Sequence, residues 1–278
     1  MLNVELRKWF FVFFVLHKYF LMKLVFITLL VLISHELKAQ TDSLSSQVIN
    51  WTNLKADKND AGERRLVLQG STLDLGNLRV HASTLDPGKT NHPPRAHTDY
   101  EELIIVKEGN LKILINDSSK IVGPGGIALI VAGDEQSFQN VTGRPVTYYV
   151  LRFKSKSPVN IPRGKEGGGS FTKDWLELVI KKTDKGERRD IFNRPSSMFG
   201  NFEVHATALN PGFDSHAPHK HRAEEIILMI KGDVTMQIGN DFYKTTAGDL
   251  TFLASGDLHA AKNTGSEQCG YFAIQWRL

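Results

Sequence analysis

Most of this 278-residue chain consists of one unit that occurs twice. Residues 76–97 (GNLRVHASTLDPGKTNHPPRAH) align with residues 200–221 (GNFEVHATALNPGFDSHAPHKH) at a constant offset of 124. Further along the chain the offset falls to 123, where EELIIVKEG at 101–109 aligns with EEIILMIKG at 224–232. A repeat of this length is the size of a domain, so the chain is expected to contain two domains of the same fold.

The residue pattern inside each unit is that of β-strands. Apolar and polar side chains alternate in residues 202–209, and they alternate again in residues 234–239. Turn sequences such as DPG, NPG, KEGN and SGD separate these runs roughly every 8–12 residues, which is typical of an all-β sandwich or barrel. We therefore predict two small β-barrels, each made of two sheets. Residues 172–182 are the one segment expected to allow a short helix.

The composition also indicates where the two domains are joined. Residues 155–172 contain two prolines and a GGGS run and have few apolar side chains, which predicts a flexible linker. We place the N-terminal domain at 40–154 and the C-terminal domain at 173–278. The polar residues 40–60 are expected to form a loose lead-in to the first domain.

Residues 1–39 have the pattern of a secretory signal peptide. Lys23 precedes a ten-residue apolar run, 24–33, and a polar stretch that ends at a cleavage site after Ala39. The apolar run is shorter than the roughly 20 residues that span a bilayer. Met22 is a candidate for the true start; otherwise the whole segment acts as an uncleaved membrane anchor. Either interpretation predicts a secreted or periplasmic protein, with membrane contact only if the segment stays attached.

Charge and cysteine content exclude several classes of function. The formal net charge is +4, but the first 39 residues hold five of the 34 basic residues and only two of the 30 acidic ones. The remainder is therefore close to neutral, and a nucleic-acid partner is not expected. Cys269 is the only cysteine, which excludes a thiolate zinc site, an iron–sulfur cluster and an intramolecular disulfide.

Residue types that bind metals stand at the start of a strand in the second unit. His219, His221 and Glu225 are separated by even numbers of residues, so on one strand their side chains point to the same face. The next residues on that face, Ile227 and Met229, are apolar, which makes it the barrel interior. Polar groups directed into an apolar interior are costly unless something binds them, and a divalent cation binds both imidazole and carboxylate.

The spacing of these residues follows two motifs in the second unit. The motif residues are, in order, Gly212, His219, His221, Glu225 and Gly232, then Gly248, Ala254, Gly256, His259 and Asn263. This spacing resembles that of the cupin superfamily, whose motifs are G-(x)5-H-x-H-(x)3,4-E-(x)6-G and G-(x)5-P-x-G-(x)2-H-(x)3-N. The chain departs from them by one extra residue after the first glycine and by alanine in place of proline. Neither departure touches a ligand position.

The resemblance implies a bicupin with two jelly-roll (double-stranded β-helix) barrels, similar in architecture to oxalate decarboxylases, quercetin dioxygenases, ureidoglycine aminohydrolases and sugar-modifying cupins. It also implies one metal site, in the C-terminal barrel, formed by His219, His221, Glu225 and His259. Three imidazoles and a carboxylate leave two positions of an octahedron open. This suits Mn(II) or Fe(II), with Zn(II), Ni(II) and Cu(II) as further candidates.

The first unit keeps only part of this ligand set. His97 and Glu102 stand at two of the ligand positions, whereas Arg95 replaces the first histidine and Gln136 replaces the last. An arginine cannot ligate a cation and would repel one, so the N-terminal barrel is expected to hold a degenerate site without metal. Two roles for Arg95 stay open: a salt bridge with Glu102 that closes the old site, or a bidentate contact with a substrate carboxylate.

Four other histidines lie near the motifs. His216 stands three residues before the first ligand, where it could act as the catalytic acid–base or bind substrate. The equivalent His92, beside the degenerate site, indicates a turn-stabilising role at least as strongly. His81 and His205 have the opposite parity to the apolar residues of their strands, which predicts structural or surface positions.

Two expectations concern the walls of the metal site. The two GERR tetrapeptides are expected to be solvated charges, with Arg188 or Arg189 in a pocket as the alternative. Phe252 and Phe272 are expected to share the binding face with Ile227, which would give an apolar pocket for a small ligand.

Three functions are compatible with such a site. The first is a metal-dependent oxygenase, decarboxylase, isomerase or hydrolase that acts on a small organic acid, sugar or ureide. The second is a non-catalytic module that captures a small ligand through the metal, and the third is a structural envelope protein whose metal only stabilises the barrel. Open coordination positions favour the first two. The expected partner is a small molecule, and the protein is expected to be a monomer that resembles a cupin dimer, or a homo-oligomer.

Overall fold

The computed structural model describes residues 43–278. The predicted signal peptide, residues 1–39, lies outside the described residues. Within residues 43–278, no helix is long and apolar enough to cross a membrane. These residues belong to one unit that is built almost entirely from β-strands.

Short strands separated by turns run through the whole of this unit. The strands of the first half are β1 (Gln47–Ile49), β2 (Asp57–Asn59), β3 (Gly62–Gly70), β4 (Leu75–Leu85), β5 (Arg95–Ala96), β6 (Glu101–Glu108), β7 (Leu111–Ile115), β8 (Ser118–Val122), β9 (Ile127–Ile130), β10 (Glu135–Asn140) and β11 (Val146–Ser155). The strands of the second half are β12 (Phe171–Lys173), β13 (Lys181–Thr183), β14 (Gly186–Arg194), β15 (Asn201–Leu209), β16 (Glu224–Lys231), β17 (Val234–Ile238), β18 (Asp241–Thr245), β19 (Leu250–Leu253), β20 (His259–Asn263) and β21 (Cys269–Arg277). The helices among the described residues are α1 (Ile161–Glu166) and two 3₁₀ turns, Trp51–Asn53 and Trp175–Glu177.

Each half folds into a barrel made of one seven-stranded sheet and one smaller sheet. In the N-terminal barrel the large sheet has the order β12-β9-β6-β11-β4-β3-β2, and the small sheet has the order β5-β10-β7-β8. In the C-terminal barrel the orders are β1-β19-β16-β21-β15-β14-β13 and β18-β17-β20. The prediction of two tandem double-sheet barrels is confirmed.

Each barrel also includes one strand that comes from outside its own repeat. β1 lies at the start of the predicted N-terminal domain, yet it pairs with β19 of the C-terminal barrel, with Val48 opposite Thr251. β12 follows the N-terminal domain and pairs with β9 of the N-terminal barrel, with Thr172 opposite Ala128. This reciprocal exchange connects the two barrels through backbone hydrogen bonds, in which buried polar groups find the partners that they need.

Because of this exchange, residues 40–60 are not the loose lead-in that their polar composition predicts. Beyond β1, the backbone N–H of Trp51 donates to Asp249 Oδ1 of the C-terminal barrel at 2.8 Å. In the equivalent segment 172–182, the short helix that the sequence allows is a single 3₁₀ turn, Trp175–Glu177. Polar residues in these segments form contacts with the barrel of the other repeat. A prediction from polar composition assumes that such residues are solvated, so it misses these contacts.

The segment 155–172 is folded, and the prediction of a flexible linker is wrong. Gly164 of α1 lies so close to Ser197 that a Cβ atom on the glycine would be 2.1 Å from the serine Oγ. Arg194 Nη1 donates to the carbonyl oxygen of Gly167 at 2.7 Å. The glycines of this segment therefore serve close packing of backbone against the second barrel rather than mobility.

Three apolar cores hold this structure together. The largest lies between the two seven-stranded sheets, where the Phe153 ring contacts the rings of Phe199, Phe202 and Trp276 edge to face. A second core fills the interior of the N-terminal barrel, and a third fills the interior of the C-terminal barrel. Each large sheet is thus covered on both faces. Residues of one parity face the core between the barrels, and residues of the other parity face the interior of their own barrel.

Candidate metal centre

The four predicted ligands of the C-terminal barrel come together at one end of that barrel. His219 and His221 are in the loop before β16, Glu225 is the second residue of β16, and His259 is the first residue of β20. The backbone N–H of His219 donates to the carbonyl oxygen of His259 at 3.1 Å, and the reverse bond measures 3.0 Å. This isolated β-bridge places two ligands from different motifs side by side.

The side chains of these residues converge on one point. His219, His221 and His259 each place a ring nitrogen within 4.8 Å of the others, the only such group of His, Cys, Asp or Glu side chains found in residues 43–278. Glu225 Oε2 lies 3.3 Å from His221 Nε2 and 3.4 Å from His259 Nε2. Ligand atoms at right angles around one ion are about 3 Å apart when each bond is about 2.1 Å. The spacing therefore fits one shared cation.

Hydrogen bonds to the ring nitrogens show which atoms are free to bind. His221 Nδ1 contacts the carbonyl oxygen of Ala223 at 2.9 Å, and His259 Nδ1 contacts that of Asp257 at 2.8 Å, so these nitrogens carry the protons. The Nε2 atoms of both rings, and Nδ1 of His219, are buried without a hydrogen-bond partner. Unpaired nitrogens buried around a carboxylate are costly, and a divalent cation removes that cost. The residues present fit the metal that the cupin motifs imply.

Glu225 is a carboxylate in spite of its burial. Burial raises its pKa, but hydrogen bonds from His221 and His259 with their Nε2 atoms protonated, together with the bond from Gln275, outweigh burial and hold the pKa at about 2. A bound cation would take the place of those two protons. Gln275 Nε2 donates to Glu225 Oε1 at 3.0 Å, which leaves Oε2 for the histidines. Gln275 lies directly opposite Glu225 on β21 and positions the carboxylate. It was not among the predicted site residues, because no motif includes β21.

His216, the predicted acid–base, lies next to the ligands. Its ring centroid is 3.9 Å from that of His219. Its Nδ1 contacts the carbonyl oxygen of Ala217 at 3.0 Å, so Nε2 is free to accept a proton. Burial lowers the pKa of His216, which favours the neutral ring. The equivalent His92 makes the same contact with Pro93 at 2.8 Å, so both histidines also stabilise their turns.

The ligands open into a cavity of about 390 Å³ within the C-terminal barrel. Its wall includes His216, His205 and Tyr271, with Ile227 and Leu253 as apolar surface. Of the two positions predicted for His205, structural or surface, the structure excludes an outer surface position, since the side chain lines the cavity. The apolar residues that alternate with it belong to the core between the barrels, so the polar parity of β15 is the one that faces the barrel interior. His81, its equivalent, is buried in the N-terminal barrel, which agrees with a structural position.

Arg188 also lines this cavity, so the pocket alternative is correct for this member of the GERR pair. Its Nε donates to Asp190 Oδ1 at 2.6 Å, and its Nη2 donates to Glu203 Oε1 at 3.0 Å. These two bonds fix the guanidinium plane and leave Nη1 without a protein partner among the described residues. Arg188 thus offers a positioned donor for an oxygen atom of a bound ligand.

Phe252 and Phe272 do not line the metal cavity, and the prediction that they do is wrong. Phe252 lies opposite Ile226 and Phe272 lies opposite Leu228, which places all four on the face that packs between the barrels. Strand parity separates two sets of residues without showing which set faces the ligand, since both faces of this sheet are apolar.

A second cavity, of about 440 Å³, lies between the barrels and includes none of the predicted ligands. Phe272 and Leu228 form part of its wall, together with Trp175. The Arg189 guanidinium lies 4.4 Å from the centroid of the Trp175 ring in this wall. The cavity with the histidines is therefore the one suited to metal chemistry.

The degenerate site of the N-terminal barrel is closed by hydrogen bonds. Glu102 Oε1 accepts from Arg152 Nε at 2.6 Å, and Glu102 Oε2 accepts from Gln136 Nε2 at 3.0 Å. The salt bridge predicted between Arg95 and Glu102 is wrong, because Arg152 from β11 holds the carboxylate instead. Arg152 is the repeat equivalent of Gln275, so an alignment of the two β-strands at the end of each repeat is the signal that could have identified both residues.

Comparisons with known proteins agree with this geometry. The family model described as Cupin domain matches residues 82–152 and 206–275, about half of the chain. None of the curated proteins matches the sequence. The solved structures that share the fold include three that are described below, all at low sequence identity, which says nothing by itself about a common activity.

The first is AerE from Microcystis aeruginosa, with 16% identity, a TM-score of 0.62, and coverage of 83% of this chain and 99% of that chain. The second is YlbA from E. coli, with 14% identity, a TM-score of 0.66, and coverage of 88% and 96%. The third is a variant of oxalate decarboxylase from Bacillus subtilis, with 14% identity, a TM-score of 0.62, and coverage of 84% and 77%. Since the family model matches both barrels and the ligand residues lie where its motifs require, the chain belongs to the cupin family and carries two cupin domains in tandem.

Proposed function

We propose that the C-terminal barrel binds one divalent metal ion through His219, His221, Glu225 and His259 and that the protein is a metal-dependent enzyme for a small organic molecule. The observation that carries this proposal is the set of buried, unpaired imidazole nitrogens around an ionised carboxylate. Mn(II) or Fe(II) fits this nitrogen and oxygen donor set, and Zn(II), Ni(II) and Cu(II) are further candidates. Oxalate decarboxylase from Bacillus subtilis, which shares the fold, contains Mn(II) centres.

Different residues of the cavity would have different roles in such an enzyme. When bound, a divalent ion acts as a Lewis acid toward a carbonyl or carboxylate oxygen. Gln275 keeps Glu225 oriented, and the carbonyl contacts of His221 and His259 keep their rings in the tautomer with a free Nε2. His216 offers a neutral ring with a free Nε2 beside the ligands, where it can take a proton from the substrate.

Among the substrate classes that the family suggests, a small organic acid fits this cavity better than a sugar or a ureide. Arg188 favours the acid, because its Nη1 has no protein partner among the described residues and its plane is fixed by Asp190 and Glu203. A guanidinium held in this way binds a carboxylate oxygen with defined geometry. The reaction class, whether decarboxylation, isomerisation, oxygenation or hydrolysis, depends on which metal is bound.

Metal content is the first test of this proposal. Protein purified without chelator or nickel resin is expected to contain about one equivalent of Mn or Fe by ICP-MS, since one barrel keeps all four ligands. His221→Ala removes a ligand and is expected to abolish metal binding while the far-UV circular dichroism stays that of a β protein. The matched variant His97→Ala, at the equivalent position of the degenerate site, is expected to keep the metal. Unchanged metal stoichiometry in His221→Ala would refute the assignment.

A second experiment separates an enzyme from a module that only captures a ligand. Mn(II)-loaded protein with open coordination positions is expected to enhance water proton relaxation, and small carboxylates are expected to reduce this effect as they displace water. A carboxylate identified in this way is then incubated with wild-type protein and with His216→Gln. Turnover that falls in His216→Gln with unchanged metal content supports the enzyme, whereas binding without turnover in the wild type supports the capture module.

Export from the cytoplasm and removal of residues 1–39 are part of the same proposal. The support is the residue pattern around Lys23 and Ala39 described above. Expression of the full chain in a bacterial host, cell fractionation and N-terminal sequencing test it. The expected product begins at Gln40 and is found in the periplasm or the medium. A product that is found in the membrane fraction and still contains Lys23 supports the uncleaved anchor instead.

A further inference from the structure

One row of three side chains crosses the interior of each barrel beside the ligand position. In the C-terminal barrel the row consists of Glu203, Gln275 and Glu225, which lie opposite one another on β15, β21 and β16. In the N-terminal barrel the same row consists of Arg79, Arg152 and Glu102 on β4, β11 and β6. The row with two carboxylates in the metal-binding barrel is therefore replaced by a row with two guanidinium groups in the degenerate barrel.

Two further arginines extend this positive cluster. Arg64 on β3 has the parity that faces the barrel interior, and Arg95 on β5 takes the place of the first metal ligand. Burial lowers the pKa of Arg64, and the charges of Arg79, Arg152 and Arg95 lower it further. Arg64 is thus close enough to the other three arginines to be repelled by each of them, and Arg79 lies directly opposite Arg152 on the neighbouring strand.

Within residues 43–278, only one carboxylate forms an ion pair with any of these four arginines. Glu102 pairs with Arg152, whereas the side chains of Arg64, Arg79 and Arg95 form neither a hydrogen bond nor an ion pair within residues 43–278. The Nε atom of Arg79 is buried and has no partner. Like charges directly opposite on neighbouring strands destabilise a sheet, and a buried donor without an acceptor adds to this cost. The arrangement favours the binding of an anion.

The positive charges of these arginines also lower the pKa values of two neighbouring histidines. Burial and the charges of Arg64, Arg152 and Arg79 lower the pKa of His81 to about 3. Burial and the charge of Arg95 lower the pKa of His97 to about 4. Both rings are therefore neutral near pH 7, and neither competes with the arginines for an anion.

We infer that the N-terminal barrel binds a small carboxylate at its mouth, with Arg79, Arg64 and Arg95 as the donors. Arg64 and Arg95 are exposed, which places the ligand at the rim of the barrel. The cleft beside His97, Tyr100 and Glu102 includes none of the three arginines in its wall and has no room for a water molecule. The planar fork of a guanidinium matches the two oxygens of a carboxylate, which favours a carboxylate over a tetrahedral anion. This site does not depend on the metal centre of the other barrel.

The test measures anion binding in a background without the metal site. Malonate is titrated by calorimetry into protein that carries both His221→Ala and Arg188→Gln, and so lacks a metal ligand and the guanidinium of the metal cavity, at constant ionic strength in chloride, with sulfate as the tetrahedral comparison. Arg79→Gln is then added to this background, and Arg79→Lys serves as a second variant that keeps the charge but loses the fork. Arg144→Gln, an exposed arginine in a turn of the same barrel, is the matched control for loss of one positive charge.

Malonate is expected to bind at one site, about tenfold more weakly in Arg79→Gln and with unchanged affinity in Arg144→Gln. In chloride alone, Arg79→Gln is expected to melt at a higher temperature than its parent because one repulsive contact is lost. At one malonate concentration, the rise in melting temperature is expected to be larger for the parent than for Arg79→Gln. Equal affinity in Arg79→Gln and its parent, or absence of saturable binding, overturns the proposal. Sulfate that binds as tightly as malonate overturns the assignment to a carboxylate.

Discussion

Glu101 and Glu224 occupy equivalent positions in the two barrels, and each carboxylate accepts hydrogen bonds from the opposite barrel. Ser196 Oγ donates to Glu101 at 2.5 Å and the Ser197 N–H donates to it at 3.1 Å, while Thr72 Oγ1 donates to Glu224 at 2.6 Å. Thr72 and Ser196 are themselves repeat equivalents. The interface between the barrels therefore contains the same buried contact twice, once in each direction, as in a symmetric dimer.

Removal of one of these contacts is expected to destabilise the whole protein. Glu224→Ala leaves the buried donors Thr72 Oγ1 and Trp276 Nε1 without their acceptor. The expected loss in the free energy of unfolding is about 3 kcal/mol, measured by urea denaturation. The exposed Glu267→Ala is the control and should unfold like the wild type. If the free energy of unfolding of Glu224→Ala equals that of Glu267→Ala within experimental error, this contact contributes no net stability.

The pH dependence of stability is expected to include a contribution from Glu101. Burial raises its pKa in the folded protein to about 7, above the ordinary 4.5, while hydrogen bonds from Ser196 and Ser197 oppose the shift. Because the folded-state pKa is the higher one, this contribution to stability is fully present below about pH 4.5 and is lost as the pH rises through 7. The loss is at most about 3 kcal/mol.

Glu101→Gln, which cannot ionise, is the variant that isolates this contribution. Unfolding by urea is measured at pH 5 and pH 8 in EDTA, so that metal release does not contribute. The wild type is expected to lose stability relative to Glu101→Gln between the two pH values. A difference between the two proteins that is the same at both pH values would contradict the raised pKa.

The exchanged strand β1 is expected to depend on Asp249. The carboxylate of Asp249 accepts hydrogen bonds from the Trp51 N–H at 2.8 Å and from Asn50 Nδ2 at 3.0 Å. Asp249→Ala removes both acceptors and is expected to cost about 2 kcal/mol and to speed tryptic cleavage after Lys55. Asp241→Ala, an exposed position on β18, is the control and should be cleaved at the wild-type rate.

The duplication, the all-β architecture and the four residues that converge in the C-terminal barrel could be predicted from the sequence. The ligand spacing is local, so His219, His221 and Glu225 share a face without any knowledge of the fold. The pairing of His259 with His219 required the family motifs, because a β-bridge between distant residues has no local signal.

The faces of the large sheets could not be predicted from alternation alone. Phe252 and Phe272 were expected to mark the interior of a barrel, yet they face the core between the barrels, while His205 lines the metal cavity. A sheet that is covered on both sides has two buried parities, and on β15 the polar one faces the barrel interior. The prediction of mobility for the glycines of 155–172 failed for a similar reason. The residues that these glycines contact lie in the other barrel, far away in sequence, so the local composition does not reveal them.

The metal affinity of the C-terminal barrel is expected to depend on Gln275. Its donation to Glu225 Oε1 at 3.0 Å fixes the carboxylate that faces the histidines. Gln275→Ala is expected to weaken metal binding about 10–100-fold without loss of folded structure, measured by competition with a metallochromic chelator. Arg152→Ala, at the equivalent position of the other barrel, is the control. Equal affinity in Gln275→Ala and the wild type would show that Glu225 is oriented by its own packing.

The degenerate site is expected to regain a metal when its ligands and its charge are both restored. Arg95 lies opposite Gln136 in the N-terminal barrel in the way that His219 lies opposite His259 in the C-terminal barrel, so the backbone already presents both positions correctly.

His97 and Glu102 are in place, but Arg152 holds the carboxylate and repels a cation. The triple variant Arg95→His, Gln136→His and Arg152→Gln is therefore expected to raise the metal content from about one to about two equivalents. Addition of Glu102→Gln should return it to one. A folded triple variant that still binds a single metal would mean that Arg79 and Arg64 alone keep a cation out of this barrel.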